Sequence, residues 1–326
     1  MSNKPPIVVP QGAIRLNTDT QKLEFYVDNR WYEMATHNTN LGRETDRGAG
    51  GRGIFSGGRN NNTIQFITIS STGDASNFGD ASINTEGAAV SSRTRYLGAA
   101  NLNYVNTIDF VIFATTGDAV NFGDLTNNKR TFSSCSNSTR GVFMGGITPT
   151  SPNKTNVIDY VTIANEGNAR DFGDLIVASS NTSGNAGSST RGLNFSGTPS
   201  STDNIQYINI GSGGNSSTFG TLSFNDHGNR GASSNSIRAI HGHEDALDYV
   251  TIATLGDSID FGDYLNDAAY RCGVASPTRV VFGGGSPGIN TMGYVQIATQ
   301  GDAVDFGDLV ATAYVHVSQS NCHGGL

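Results

Sequence analysis

His241-Gly242-His243-Glu244 is the one place in this sequence where metal-ligating residue types crowd together. A His-x-His pair on a strand puts both rings on one face, and with one further ligand it could hold zinc. Related segments of the chain carry Gly-Gly and a polar loop at this point, so the cluster is read as a surface loop without metal. Aspartates form a second group: Asp74 lies near Asp80, and Asp118 near Asp124. Calcium needs several oxygens converging on one ion. Here the carboxylates flank a Gly turn and an aromatic, so the aspartate is expected to cap a turn and the aromatic to pack. Arginines form the third group, at Arg52, Arg95, Arg140, Arg191, Arg238 and Arg279. They could gather around an axis and bind an anion, or each could bond a carboxylate or carbonyls of a neighbouring segment. The second is expected, because bidentate Arg–carboxylate pairing suits such a link.

Other chemistry finds little support. Cys135, Cys272 and Cys322 are far apart and odd in number, which gives no metal spacing and no evident disulfide framework. They read as small, semi-buried strand residues. No serine nucleophile elbow and no glycine-rich phosphate loop with Lys occurs. The chain is therefore expected not to be an enzyme and to need neither cofactor nor metal.

The spacing of these residues points to the elements that hold them. Phe-Gly-Asp recurs at Phe78, Phe122, Phe172, Phe261 and Phe306, with Phe-Gly-Thr at Phe219. Each of the six arginines opens an apolar stretch that keeps step with that phrase. Between them lies an alternating segment such as Ile158-Asp159-Tyr160-Val161-Thr162-Ile163, the period-2 mark of a strand. An aromatic holds the same place in every copy. Two phrases in register at intervals of 42 to 50 residues mean one supersecondary unit copied six times. A stretch of small residues before each arginine supplies a fourth strand, suited to a crowded site near a central axis. Four short strands per unit make a propeller blade. Ala313-Tyr314-Val315-His316-Val317-Ser318 then falls where a strand can complete the first blade, which removes open sheet edges.

Composition agrees. Glycine is extreme at 42 of 326 residues and charged residues are only 15%. That suits many tight turns and suits helices badly. A net charge of −8 argues against nucleic acid or anionic membrane as a partner. No apolar run is long enough to span a membrane, and the start, MSNKPPIVVPQGAIRLN, does not read as a signal peptide. Synthesis in a cytoplasm without export follows as an expectation.

The pattern resembles kelch-type propellers over residues 42–326. The carriers are the apolar run ending in Gly-Gly (Gly57-Gly58, Gly145-Gly146, Gly283-Gly284), the following tyrosine (Tyr160, Tyr207, Tyr249, Tyr294) and the later aromatic. Kelch repeats usually carry Trp at that last position; here it is Phe. The fuller phrase, Ile-Asp-Tyr-Val-Thr-Ile-Ala then Gly-Asp/Asn-Ala then Phe-Gly-Asp-Leu, is similar to repeats in virion-associated proteins of marine bacteriophages. Residues 1–41 differ in kind. They read as a strand, a turn at Asn17–Gln21, a second strand, a turn at Asp28-Asn29 and a short strand carrying Trp31. This segment is similar to hairpins of phage tail and fibre proteins. So small a unit needs a partner, and Arg15, Leu23, Phe25, Tyr26 and Trp31 are the expected docking residues.

These readings combine into one expectation: an all-β protein with an N-terminal arm (1–41) and a six-bladed kelch-like β-propeller (42–326). The resemblance implies a bacteriophage virion structural protein, located in the virion. Its arm would contact other virion proteins or trimerise, and its propeller would serve capsid decoration or host attachment through a surface glycan or protein. Loops of unequal length, including the polar stretch from Ser179 to Ser189, are candidates for recognition. The alternative is a non-viral kelch-like binding module or a lectin.

Overall fold

A computed structural model describes residues 9–17, 22–33, 51–58, 61–101, 103–180, 185–195, 203–223, 231–312 and 316–326. These residues form strands and turns without a helix, so no helix among them is long and apolar enough to cross a membrane. The strands build seven antiparallel sheets, one of three strands and six of four. Chain contacts divide the molecule into two units, Met1–Arg43 and Glu44–Leu326.

The first unit is a meander of β1 (Ile14–Asn17), β2 (Lys22–Val27) and β3 (Arg30–Glu33). Asp28 and Asn29 join β2 to β3 with φ of 48° and 59°. Two positive-φ residues in a two-residue loop match the right-handed twist of the strands they connect. The expected turn at Asn17–Gln21 lies mostly outside the described residues.

The second unit opens with β4 (Arg52–Ser56), β5 (Thr63–Thr68) and β6 (Ser76–Asp80), which belong to sheet I. Sheet II holds β7 (Thr85–Ser91), β8 (Arg95–Asn101), β9 (Thr107–Ile112) and β10 (Val120–Asp124). Sheet III holds β11 (Ser133–Ser136), β12 (Arg140–Met144), β13 (Val157–Thr162) and β14 (Arg170–Asp174). Sheet IV holds β15 (Ala186–Gly187), β16 (Arg191–Asn194), β17 (Asn204–Asn209) and β18 (Ser217–Thr221). Sheet V holds β19 (Ala232–Ser234), β20 (Arg238–His243), β21 (Ala246–Thr251) and β22 (Ile259–Asp263). Sheet VI holds β23 (Cys272–Ala275), β24 (Arg279–Gly283), β25 (Thr291–Gln296) and β26 (Val304–Asp308). The final strand, β27 (Val317–Ser320), returns to sheet I and pairs with β4, from Val317↔Ser56 to Ser320↔Gly53. The closing strand thus starts later than Ala313; residues 313–315 lie outside the described residues.

Neighbouring sheets bond in cyclic order. The Gly117 amide of sheet II donates to the Phe78 carbonyl of sheet I at 2.8 Å. Gly167 does the same to Phe122, Gly214 to Phe172, Gly256 to Phe219 and Gly301 to Phe261. Gly73 of sheet I donates to Phe306 of sheet VI at 2.7 Å, which returns the series to its start. A glycine is needed after each of these phenylalanines. A Cβ on Gly79 would sit 2.2 Å from the Gly117 carbonyl oxygen. The core is correspondingly divided into six apolar clusters, one per junction; Phe78, for example, packs with Ala89, Val111 and Phe113 of the next sheet.

Small residues line the inner strands because those strands touch one another. Ser91 Oγ donates to the Ser320 carbonyl (2.7 Å), Ser134 Oγ to Ala89 (2.6 Å), Ser234 Oγ to Gly187 (2.9 Å) and Ser318 Oγ to Gly273 (2.8 Å). A hydroxyl reaches the neighbouring backbone there where a larger side chain has no room. Residues 321–326 continue from β27 across this inner surface. The Gly324 amide donates to the Ser234 carbonyl at 2.9 Å. A Cβ on Gly325 would lie 1.8 Å from the Ser136 oxygen.

Strand alternation sorts the connections to two ends. Turns from first to second and from third to fourth strand lie at one end and hardly vary. Connections from second to third strand, and from each sheet to the next, lie at the other. There the second-to-third loop is shortest at 244–245 and longest at 145–156.

Candidate functional site

Each of the six arginines is partly buried and links its sheet to the next one, where the turn between third and fourth strands begins. Arg52 Nη1 donates to the Phe113 carbonyl (2.6 Å), Arg95 to Ile163 (3.3 Å), Arg140 to Ile210 (3.0 Å), Arg191 to Ile252 (2.6 Å), Arg238 to Ile297 (3.0 Å) and Arg279 to Ile69 (3.3 Å). Every guanidinium also lies over the aromatic ring of its own sheet's third strand, 4.6 to 5.1 Å from the centroid. Of the two partners considered, carbonyl and carboxylate, the carbonyl is the one met in all six; Arg95 also lies 3.8 Å from Glu166 Oε1. The second-strand start faces the end of the neighbouring third strand, where the backbone presents oxygens, and the Phe-Gly-Asp carboxylates lie elsewhere.

Those aspartates contribute mainly their backbone. The Asp80 amide donates to Asp118 Oδ1 (3.0 Å), Asp124 to Asn168, Asp174 to Asn215, Thr221 to Asp257, Asp263 to Asp302 and Asp308 to Asp74. The cap is thus supplied by the Gly-Asp/Asn residue of the adjoining sheet. Phe78, Phe122, Phe172, Phe219, Phe261 and Phe306 are all buried and meet the third-strand aromatic edge-on at 5.8 to 6.2 Å. A third recurring bond joins the position before the third-strand aromatic to the connection that leads in from the preceding sheet. Asp109 Oδ2 accepts from Ser82 Oγ, Gln206 from the Ile176 amide, Asp248 from Ser223, and Gln65 from the Val310 amide.

Sheet III adds an ion pair that the sequence did not reveal. Lys129 Nζ lies 2.6 Å from Asp159 Oδ2, both side chains fully buried, and 5.0 Å from the Phe132 ring. Thr126 donates to the other carboxylate oxygen. Burial lowers the Lys129 amine below its usual range, and the Asp159 charge opposes that shift. One lysine in a polar connection carries no pattern, so only proximity in space exposes it.

His241 corrects the surface-loop reading. It sits in β20, fully buried, stacked on Phe195 at 4.9 Å. The loop itself is short, with exposed Glu244 at φ 50°, and the His243 side chain is outside the described residues. Among the described residues no three His, Cys, Asp or Glu stand close enough to share a metal ion. Cys135 and Cys322 are buried, Cys272 is half-buried, and none of the three forms a disulfide. Burial pushes the Cys272 thiol up to about 12. An open groove of about 570 Å³ runs along the outer side of sheet III, lined by Tyr160, Asn165, Glu166, Asn168 and Arg170.

In the first unit the expected docking residues with described side chains, Arg15, Phe25, Tyr26 and Trp31, divide between two faces. Cross-strand partners share a face, so Ile14, Phe25 and Tyr32 lie together, with Leu16 beside them. Phe25 stacks on Tyr32 at 5.8 Å. Ile14, Leu16 and Tyr32 are 64%, 60% and 44% exposed. Arg15, Tyr26 and Trp31 occupy the opposite face. There Arg15 pairs with Glu24 at 2.7 Å and lies 4.1 Å over Trp31, which Tyr26 meets at 5.1 Å. The Leu23 side chain is outside the described residues. Strand alternation alone separates the two sets, and it adds Ile14, Leu16 and Tyr32 to the Phe25 face.

No family model matches this chain, and no curated protein matches it.

Proposed function

We propose that the chain is a bacteriophage virion structural protein. In this reading Glu44–Leu326 is a six-bladed kelch-like β-propeller displayed on the particle, and the N-terminal three-stranded unit anchors it. The propeller rests on six four-stranded meanders bonded in cyclic order, with the last strand returned to the first sheet. The observation that carries the role is how the polar side chains are spent. The repeated Arg, Asp and Asn groups go into holding sheet to sheet, while loop length varies at one end only. A rigid frame with one variable end is suited to recognition. Host attachment or capsid decoration would use that loop end. Anchoring would use the apolar Ile14, Leu16, Phe25 and Tyr32 face, since a three-stranded sheet of this size is marginal alone.

Gold labelling of intact particles with an antibody against residues 42–326, read by electron microscopy, tests the proposal. Label over the head means decoration; label at the tail tip or fibres means attachment. Absence of label from every particle would remove the virion reading and leave a glycan- or protein-binding module of other origin.

A further inference from the structure

The closing strand is held differently from the other five inner strands. Those run through a short turn into the strand they pair with, so each is half of a hairpin. β27 pairs with β4 across almost the whole length of the second unit, and no short connection ties the two. A buried histidine stands at each end of this strand.

His316 precedes β27 and is 4% exposed. Its ring lies 5.9 Å from that of Phe55 on β4, and its carbonyl accepts from the Cys272 thiol on β23. His323 follows β27 and is also 4% exposed. Its Nδ1 accepts the Gly325 amide at 3.1 Å. Its Nε2 lies 3.3 Å from Ser136 Oγ and 3.4 Å from the Ser91 carbonyl. That pattern requires a neutral ring with its proton on Nε2. A second proton, on Nδ1, would point at the Gly325 N–H and break the turn that lays Gly324 and Gly325 on the inner strands.

We propose that β27 and residues 321–326 form an acid-released latch: protonation of His316 and His323 frees this strand from β4 while the other five sheets stay paired. The neighbours facing His316 are Phe55, Cys272 and the Gly283 backbone; those facing His323 are Ser91, Ser136 and Gly325. Cys272 is the ionisable one among them, and its thiol is neutral in acid. Neither imidazolium would meet a compensating charge there. Burial holds both rings down to about 4, in keeping with that geometry. His241, also buried, sits on the second strand of sheet V, whose neighbours on both sides are joined to it by short turns. The latch rests on strand pairing alone and does not depend on the virion reading.

Hydrogen exchange of the full chain, read by mass spectrometry at pH 7 and pH 4 with intrinsic rates corrected, tests it. The expected result is at least tenfold faster exchange at 317–320 and 53–56 in acid, with β20 and β21 unchanged. The double variant His316→Gln, His323→Gln should keep its protection at pH 4. Exchange that rises equally in all six sheets, or first in another sheet, overturns the latch, as does seam opening that persists in the double variant. Should that variant not fold at pH 7, imidazole titration by NMR on the natural sequence decides. Rings titrating near the ordinary histidine value while the protein stays folded overturn the proposal. Titration together with seam opening sustains it.

Discussion

Phe172 shows how a single ring serves two sheets. It is buried, edge-on to Tyr160 of its own sheet and packed with Ile208 and Ile210 of the next. Phe172→Ala is expected to cost about 3–5 kcal/mol, because the flanking strands cannot close the space. Urea unfolding measures it, and an unchanged midpoint would sink the packing assignment. Asp118 makes a different point. Asn168 and Asn215 do the same capping work, so the acceptor oxygen matters and the charge does not. Asp118→Asn should therefore leave the midpoint unchanged, while Asp118→Ala should lower stability by about 1 kcal/mol. Equal loss in both would show that charge is what counts. At the buried pair, Asp159→Ala strands the Lys129 amine and should cost about 3–5 kcal/mol, whereas replacing both residues by apolar ones of like size should cost far less. A double-mutant cycle read by denaturation separates the two outcomes.

The element scale is where the sequence was most legible. Recurrence of Phe-Gly-Asp and of alternating segments such as Ile158–Thr162 located second, third and fourth strands in every sheet, because burial on one face imposes a period of two. The return of the last strand to β4 was also visible; its first residue, Val317, was not, since Val315 and Val317 fit the same alternation in the sequence. Partners across a junction were less visible. Nothing local to Arg140 says that its guanidinium will find the Ile210 carbonyl, since the two are brought together only by stacking of sheets. The buried His241 and Lys129 were misjudged or missed for the same reason. Gly79 tests the junction geometry directly. With so close an approach to the Gly117 oxygen, Gly79→Ala should destabilise by about 1–3 kcal/mol. Gly73→Ala is the control in thermal melts: no atom lies within 4 Å of its added Cβ, so any loss there reports φ +146° alone.

For the molecule as a whole, acid should act through the two neutral histidines. Their folded values of about 4 lie below the ordinary value near 6.5. The unfolded chain thus binds protons first as pH falls. Their contribution is complete above about pH 6.5, declines between 6.5 and 4, and is gone below that window. Each accounts for about 3 kcal/mol at most over that span. Urea midpoints from pH 7.5 to 4, compared with the double His→Gln variant, measure it; parallel curves would refute the assignment.

The position of β4 has a mechanical consequence. Arg52 and Asn321 bond to each other at one end of sheet I, the amide of each reaching an oxygen of the other. β4 lies between β27 and β5, and its hydrogen bonds run across the strand direction. Tension entering ahead of residue 51 and resisted at the loop end is directed along β4, in shear against two ladders at once. Tension between residues 51 and 321 instead peels β27 away one bond after another. The same seam is strong when pulled along the strand and weak when its two edges are pulled apart.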